Sequence, residues 1–185
     1  MCIFAAHYQS VIVMSQFEYK PRIADGVLEK KLKSSGAVLV EGPKWCGKTT
    51  TSEQHAKSIN YISDPVNLNK NLILAEMNIN ALLEGDKPKL LDEWQIIPQL
   101  WDAVRFEVDR SKGIGQFIMT GSAVPPDKEK QAKIHHTGTG RITSLRMRPM
   151  SLWESGESSG EVSLATLFNN PGTPIYSASK VQLEQ

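Results

Sequence analysis

One segment constrains this chain more than any other: Gly42-Pro43-Lys44-Trp45-Cys46-Gly47-Lys48-Thr49, which satisfies G-x-x-x-x-G-K-[ST] at every fixed position. In working form this pattern sets a tight glycine turn between a buried strand and the first turn of a helix. Backbone N–H groups of the loop then converge on an anion, and the helix adds its positive N-terminal end. Gly42 and Gly47 permit torsions and a close approach that a side chain would block. The flanks agree. Ala37-Val38-Leu39-Val40 is an apolar run of strand length, of the kind buried on both faces of a parallel sheet, and Lys48 to Ile59 reads as a helix with a polar outer face. By composition the pattern arises by accident in well under ~2% of chains of this length. Gly42, Pro43, Lys44, Trp45, Cys46, Gly47, Lys48, Thr49 and Thr50 are therefore expected to cradle the phosphates of a nucleotide. In that reading Lys48 reaches the β- and γ-phosphates and the Thr49 hydroxyl ligates Mg²⁺.

Around this loop, strand-sized and helix-sized apolar patterns alternate. Ile23, Val27, Leu28 and Leu32 predict a helix within 21–35, closed by Gly36. Tyr61-Ile62-Ser63 reads as a short strand stopped by Asp64-Pro65. Residues 66–84 read as a helix, with Leu68, Leu72, Leu74, Met77, Ile79, Leu82 and Leu83 as core candidates. Lys89 to Glu93 is a short strand ending in two acids. Gln95 to Arg110 is a helix with Pro98 in its first turn, and Gln116 to Thr120 is a buried strand. Residues 123–140 read as a mobile loop, Ile142 to Met147 as a further strand, and 149–155 and 163–169 as short helices. The fold class that follows is α/β, a three-layer sandwich around a central parallel sheet.

Phosphate binding alone is not hydrolysis, which also needs a metal clamp and a positioned water. Asp92 ends a strand about 43 residues after Thr49, a normal separation for the second metal-holding acid. Glu93 follows it, and alternation along a strand would turn the two carboxylates apart. Asp92 is then free to hold the metal shell while Glu93 orients water as general base. The bland alternative is a solvated acid pair ahead of a helix. Thr120 and Ser122 close the next strand, whose carboxyl end faces a ligand in a parallel sheet. A hydroxyl there either senses the γ-phosphate or caps a turn. Cys46 is either a thiol activated by Lys48 and the helix terminus or a filler at a variable loop position. Arg141 follows Gly138-Thr139-Gly140 and is either an arginine finger delivered to a neighbouring subunit or a surface residue like Arg146 and Arg148. His135 and His136 have no Cys or spaced carboxylate partners and do not suggest a metal site.

Composition narrows the classes. Lys+Arg is 21 against Asp+Glu 20, a net charge of +1, which argues against a globally basic nucleic-acid binder. The short stretch Arg141, Arg146, Arg148 matches no binding motif, so nucleic acid is not supported as a partner. Two cysteines, Cys2 and Cys46, exclude a disulfide framework and suit a reducing cytoplasm. No apolar run reaches the length of a membrane span. Met1 to Met14 lacks a basic start and is interrupted by His7, Gln9 and Ser10, which argues against a signal peptide. Residues 1–19 are expected to be an extension, 20–155 the phosphate-loop domain, and 156–185 a linker with a C-terminal segment.

Three stretches together carry a family resemblance: EGPKWCGKTT; LLDEWQIIPQLWDAVRFEVDR; and QFIMTGSA with HHTGTGRITSLRMRPMSLWESG. Over roughly residues 20–168 the chain resembles the prokaryotic AAA+ predicted ATPases that usually carry a C-terminal domain of unknown function. The resemblance implies that Lys48 and Thr49 are Walker A residues and that Asp92 and Glu93 are Walker B. It puts Thr120 to Ser122 at the sensor-1 strand end and Arg141 at the arginine-finger position. It implies ATP and Mg²⁺ as ligands and a homo-oligomer as the assembly. Members of that family are usually longer, so the chain is expected to be shortened after the ATPase domain.

Three functions fit these residues: an AAA+-type ATPase coupling hydrolysis to conformational change, a small-molecule kinase, and a nucleotide-binding module without efficient turnover. The Asp92-Glu93 pair favours water over an acceptor hydroxyl as nucleophile. ATP is favoured over GTP, because the guanine-reading pattern N-K-x-D is absent and Asn69-Lys70-Asn71-Leu72 lacks its acid.

Overall fold

A computed structural model describes residues 18–121, 138–172 and 174. Strands β1 (Ala37–Glu41), β2 (Ser58–Tyr61), β3 (Lys89–Asp92), β4 (Phe117–Gly121) and β5 (Ile142–Arg146) form one sheet in the order β2-β3-β4-β1-β5. Every neighbouring pair is parallel. Its helices are α1 (Ile23–Leu32), α2 (Lys48–His55), α3 (Leu68–Asn78), α4 (Gln99–Ser111), α5 (Leu152–Ser155) and α6 (Leu164–Asn169). The class is α/β, as the alternation of patterns requires.

Strand alternation divides the core into two layers. Ala37 and Leu39 of β1 join Leu91, Phe117 and Met119 on one face, beneath Leu100, Val104 and Val108 of α4. Val38 and Val40 join Leu90, Ile118 and Leu145 on the other, beneath Leu28 of α1. The central strands β1, β3 and β4 are covered on both sides, which is why they read as unbroken apolar runs. Gly36, just ahead of β1, lets α4 come close: a Cβ there would lie 2.1 Å from a Val108 methyl.

Several boundaries differ from the sequence expectation. Helix α2 ends at His55, and the second strand is Ser58–Tyr61 rather than 61–63. β2 is an edge strand with one partner, and its Ile59 and Tyr61 are substantially exposed, so it lacks the apolar run that marks a central strand. The expected helix over 66–84 is α3 followed by a 3-10 turn at Ile79–Leu83. Leu82 and Leu83 are buried, but Leu72 and Met77 face outward, because α3 covers only the rim of the sheet. The helix expected from Gln95 starts at Gln99. Trp94–Ile96 form a 3-10 turn, and Pro98 is the N-cap of α4 rather than part of its first turn. Proline pushes the residue before it out of the helical region, and Ile97 accordingly has φ −120° and ψ 80°. The mobile loop read over 123–140 lies mostly outside the described residues, as do Ser122, His135 and His136. Among the described residues no helix is long and apolar enough to cross a membrane.

The segment that leads into α1 is clasped to α5. Lys20 Nζ donates to the Ser155 carbonyl at 2.9 Å, and Arg22 Nε pairs with Glu154 at 3.1 Å with both side chains buried. The Tyr19 hydroxyl donates to Asp25 at 2.7 Å, so contacts begin ahead of residue 20, the domain start drawn from sequence.

Candidate functional site

In a parallel sheet all carboxyl ends share one edge, and the loop after β1 opens there into α2. Gly47 is the N-cap of α2 at φ 91°, ψ 21°, a left-handed conformation that glycine adopts without cost. Gly42 is required by space: a Cβ there would lie 2.4 Å from the Met147 carbonyl oxygen. Lys48 Nζ donates to the carbonyls of Gly42 and Pro43 at 3.0 and 2.9 Å, so the ammonium lies over the loop it follows. Trp45 is fully exposed at the lip of the loop. Cys46 is buried in the core beside Val38 and Val40, which makes it a packing residue rather than an accessible thiol.

Three residues from three elements meet at Asp92. Its Oδ1 accepts from the Thr49 hydroxyl at 2.8 Å and from the Thr120 hydroxyl. Thr120 therefore caps no turn: it is buried within β4 and points its hydroxyl at the acid on β3. Glu93 parts from Asp92 by a different device from the strand alternation expected. β3 ends at Asp92, and Glu93 turns at φ 58°, ψ 43°. Its Oε2 accepts from Gln95 Nε2. Glu93 lines an open cleft of about 420 Å³ with Lys44, Trp45, Gly47, Lys48, Thr49 and Thr50. A second cleft of about 310 Å³ lies across α2's N-terminus, lined by Glu18, Tyr19, Lys20, Arg22, Gly47, Thr50, Thr51 and Met150. Gly47 and Thr50 border both clefts. Oxygen donors at Thr49 and Asp92 suit a small hard cation, and the loop suits phosphate.

Arg141 is not brought to this site. It precedes β5, and its carbonyl accepts from the Ala37 N–H at 3.0 Å, at the amino end of β1. One strand length separates it from the phosphate loop, on the order of 15 Å. Its Nε donates to Asp109 of α4 at 2.6 Å, and its side chain is 46% exposed.

Sequence reasoning missed Arg22. Its Nη1 donates to the Cys46 carbonyl in the loop at 2.8 Å, and its Nη2 to the Arg148 carbonyl at 2.9 Å. Burial opposes the charged form of Glu154. Hydrogen bonds from the Ser151 and Ile23 N–H groups, the Ser151 hydroxyl and Arg22 outweigh it and hold the carboxyl down at about 2. A lone arginine ahead of an amphipathic pattern carries no signal of such a role.

A family model described as an AAA domain matches residues 34–155, more than half of the chain and all five strands. A search of curated proteins found no match.

Proposed function

The chain belongs to the AAA domain family, a family of nucleotide-binding, ATPase-like domains, and from that premise we propose that it is a Mg²⁺-dependent ATPase coupling hydrolysis to conformational change. The observation that carries this reading is the single Asp92 oxygen that accepts from both Thr49 and Thr120. It ties the helix after the phosphate loop, the acid and the end of the neighbouring strand into one polar cluster at the carboxyl edge of the sheet. A solvated acid pair ahead of a helix has no reason to be so tied.

In this proposal the N–H groups of residues 42–49 and the Lys48 ammonium hold the triphosphate in the cleft bordered by Glu93. The cleft between Tyr19 and Met150 takes the adenine ring. Thr49 and Asp92 would hold Mg²⁺, which when bound neutralises phosphate charge. Glu93 takes the proton of the attacking water as its oxygen bonds to the γ-phosphorus. The bond from the γ-phosphorus to the bridging oxygen breaks, and ADP carries away that electron pair. Thr120 orients Asp92 and senses the γ-phosphate through it. Residues 20–155 make up the ATPase domain. Arg141, distant from its own loop, would act on a neighbour's nucleotide in a homo-oligomer.

The test is calorimetry of ATP with and without Mg²⁺ together with phosphate release by wild type, Glu93→Gln and Asp92→Asn. The expected result is that Glu93→Gln retains ATP but loses roughly 10²–10⁴ in turnover, while Asp92→Asn loses the Mg²⁺ dependence of binding. Binding without phosphate release in wild type favours a module without turnover. Release only with an added acceptor favours a kinase.

A further inference from the structure

We propose that Gln95 is a positioning residue for Glu93, and that Gly121 carries no side chain in order to make room for it. The inference rests on the reading of Glu93 as the base. Three observations carry it. Gln95 Nε2 donates to Glu93 Oε2, which occupies one carboxylate oxygen of a residue that lines the cleft and leaves the other free of this bond. Glu93 sits in the left-handed region, at φ 58°, where its own backbone gives no regular neighbour to fix its side chain. Finally, a Cβ built on Gly121 would lie 1.9 Å from Gln95 Oε1.

The last observation explains a residue that otherwise has no reason to be glycine. Gly121 ends β4 in register with Glu41, in a backbone conformation that any residue adopts. What a side chain there would displace is the amide of Gln95, lodged against the strand end directly after Thr120. The Gln95 carbonyl is buried with no hydrogen-bond partner among the described residues, so it is contact with Gly121, not a polar bond, that seats this end of the amide. The amide thus spans from the end of β4 to Glu93 and fixes the carboxylate relative to the strand that carries Thr120. General-base catalysis depends on such orientation, because the oxygen must lie within hydrogen-bond reach of the proton it abstracts.

The experiment compares Gln95→Ala, Gln95→Met, Gly121→Ala and Glu93→Gln, alone and combined. Kinetics with Mg·ATP are paired with calorimetric ATP affinity and with side-chain amide NMR of the nucleotide-free protein. Gln95→Ala and Gln95→Met are expected to lower kcat roughly tenfold, a part of the ~10²–10⁴ that a base supplies, with ATP affinity unchanged. Gly121→Ala should reproduce that loss, and neither should add to the loss in Glu93→Gln, because all act through one carboxylate. Without nucleotide, the Gln95 amide protons should be shifted and slow to exchange, and Glu93→Ala should abolish both properties. Gln95→Met keeps the length and packing of the side chain, so it reads the lost donor even where Gln95→Ala unfolds. Wild-type turnover in Gln95→Met, losses that add fully to Glu93→Gln, or freely exchanging amide protons would overturn this inference and leave the base reading standing. Full turnover in Glu93→Gln, or none in wild type, would overturn both.

Discussion

The Thr49 hydroxyl donates to Asp92 Oδ1 at 2.8 Å across 43 positions of sequence. Thr120 donates to the same oxygen from β4, the strand beside β3. Removing the shared acceptor therefore strands two hydroxyls at once. Asp92→Ala should destabilise the fold by about 1–3 kcal/mol, the cost of unsatisfied buried donors. Thr120→Val should cost less, since it removes a donor and leaves Asp92 with Thr49. Thermal melts of the two variants check the order.

Lys48→Ala should weaken ATP binding by at least about tenfold, because charge-assisted hydrogen bonds to phosphate contribute about 1.5–3 kcal/mol. The fold should survive, since among the described residues the Lys48 ammonium hydrogen-bonds to two loop carbonyls, both within its own loop. Calorimetry with unchanged affinity would remove the phosphate assignment.

The clasp between Arg22 and Glu154 makes a statement about acid. The Glu154 carboxyl titrates at about 2 in the folded chain against an ordinary 4.5, so its contribution is complete above about pH 4.5. It is lost as pH falls from there through about 2. Melting midpoints from pH 6 to 2 should fall more steeply in wild type than in Glu154→Gln. Arg22→Ala should cost roughly 3 kcal/mol or more at neutral pH, since it leaves a buried carboxylate without its cation.

Arg141 is held by Asp109 at the amino edge of the sheet, which makes its proposed role testable in one direction. Arg141→Ala should leave ATP affinity intact. If the residue serves a neighbour, specific activity rises with protein concentration, and mixtures of Arg141→Ala with Lys48→Ala regain turnover. Concentration-independent turnover that Arg141→Ala does not change would make it a surface residue.

Gly36→Ala should destabilise by about 1–3 kcal/mol through overpacking against Val108. Val108→Ala in the same background should return part of the loss, which a two-by-two set of denaturation curves measures.

What the sequence made legible is what local chemistry dictates. Residues 37–49 declare strand, loop and helix because a phosphate loop works in no other setting, and the doubly buried β3 and β4 declare themselves by apolar runs. The sequence shows β2 poorly, because an edge strand needs apolar residues on one face only. The sequence leaves the role of Thr120 open because the acceptor of its hydroxyl sits 28 positions away, on a strand that only the sheet order makes adjacent. Arg22 and Gln95 were invisible for the same reason. Arg22 acts on a carbonyl 24 positions away, and Gln95 makes its case only against Gly121. The spacing after Gly138-Thr139-Gly140 made Arg141 a candidate finger, yet spacing does not say at which edge of a sheet a strand begins.

The insertion of β4 between β1 and β3 has a mechanical consequence. Val40 is in register with Thr120, and Thr120 with Asp92, so the root of the loop, the hydroxyl and the acid lie in one row across three neighbouring strands. A rung cannot stretch by an ångström and remain a hydrogen bond. The phosphate-gripping and acid-bearing parts of the site therefore cannot drift apart. In the ATPase cycle proposed above, movement would fall instead to what projects past that row, such as the exposed lip at Trp45. The edge is stiff beneath the loop and has its give at the exposed lip.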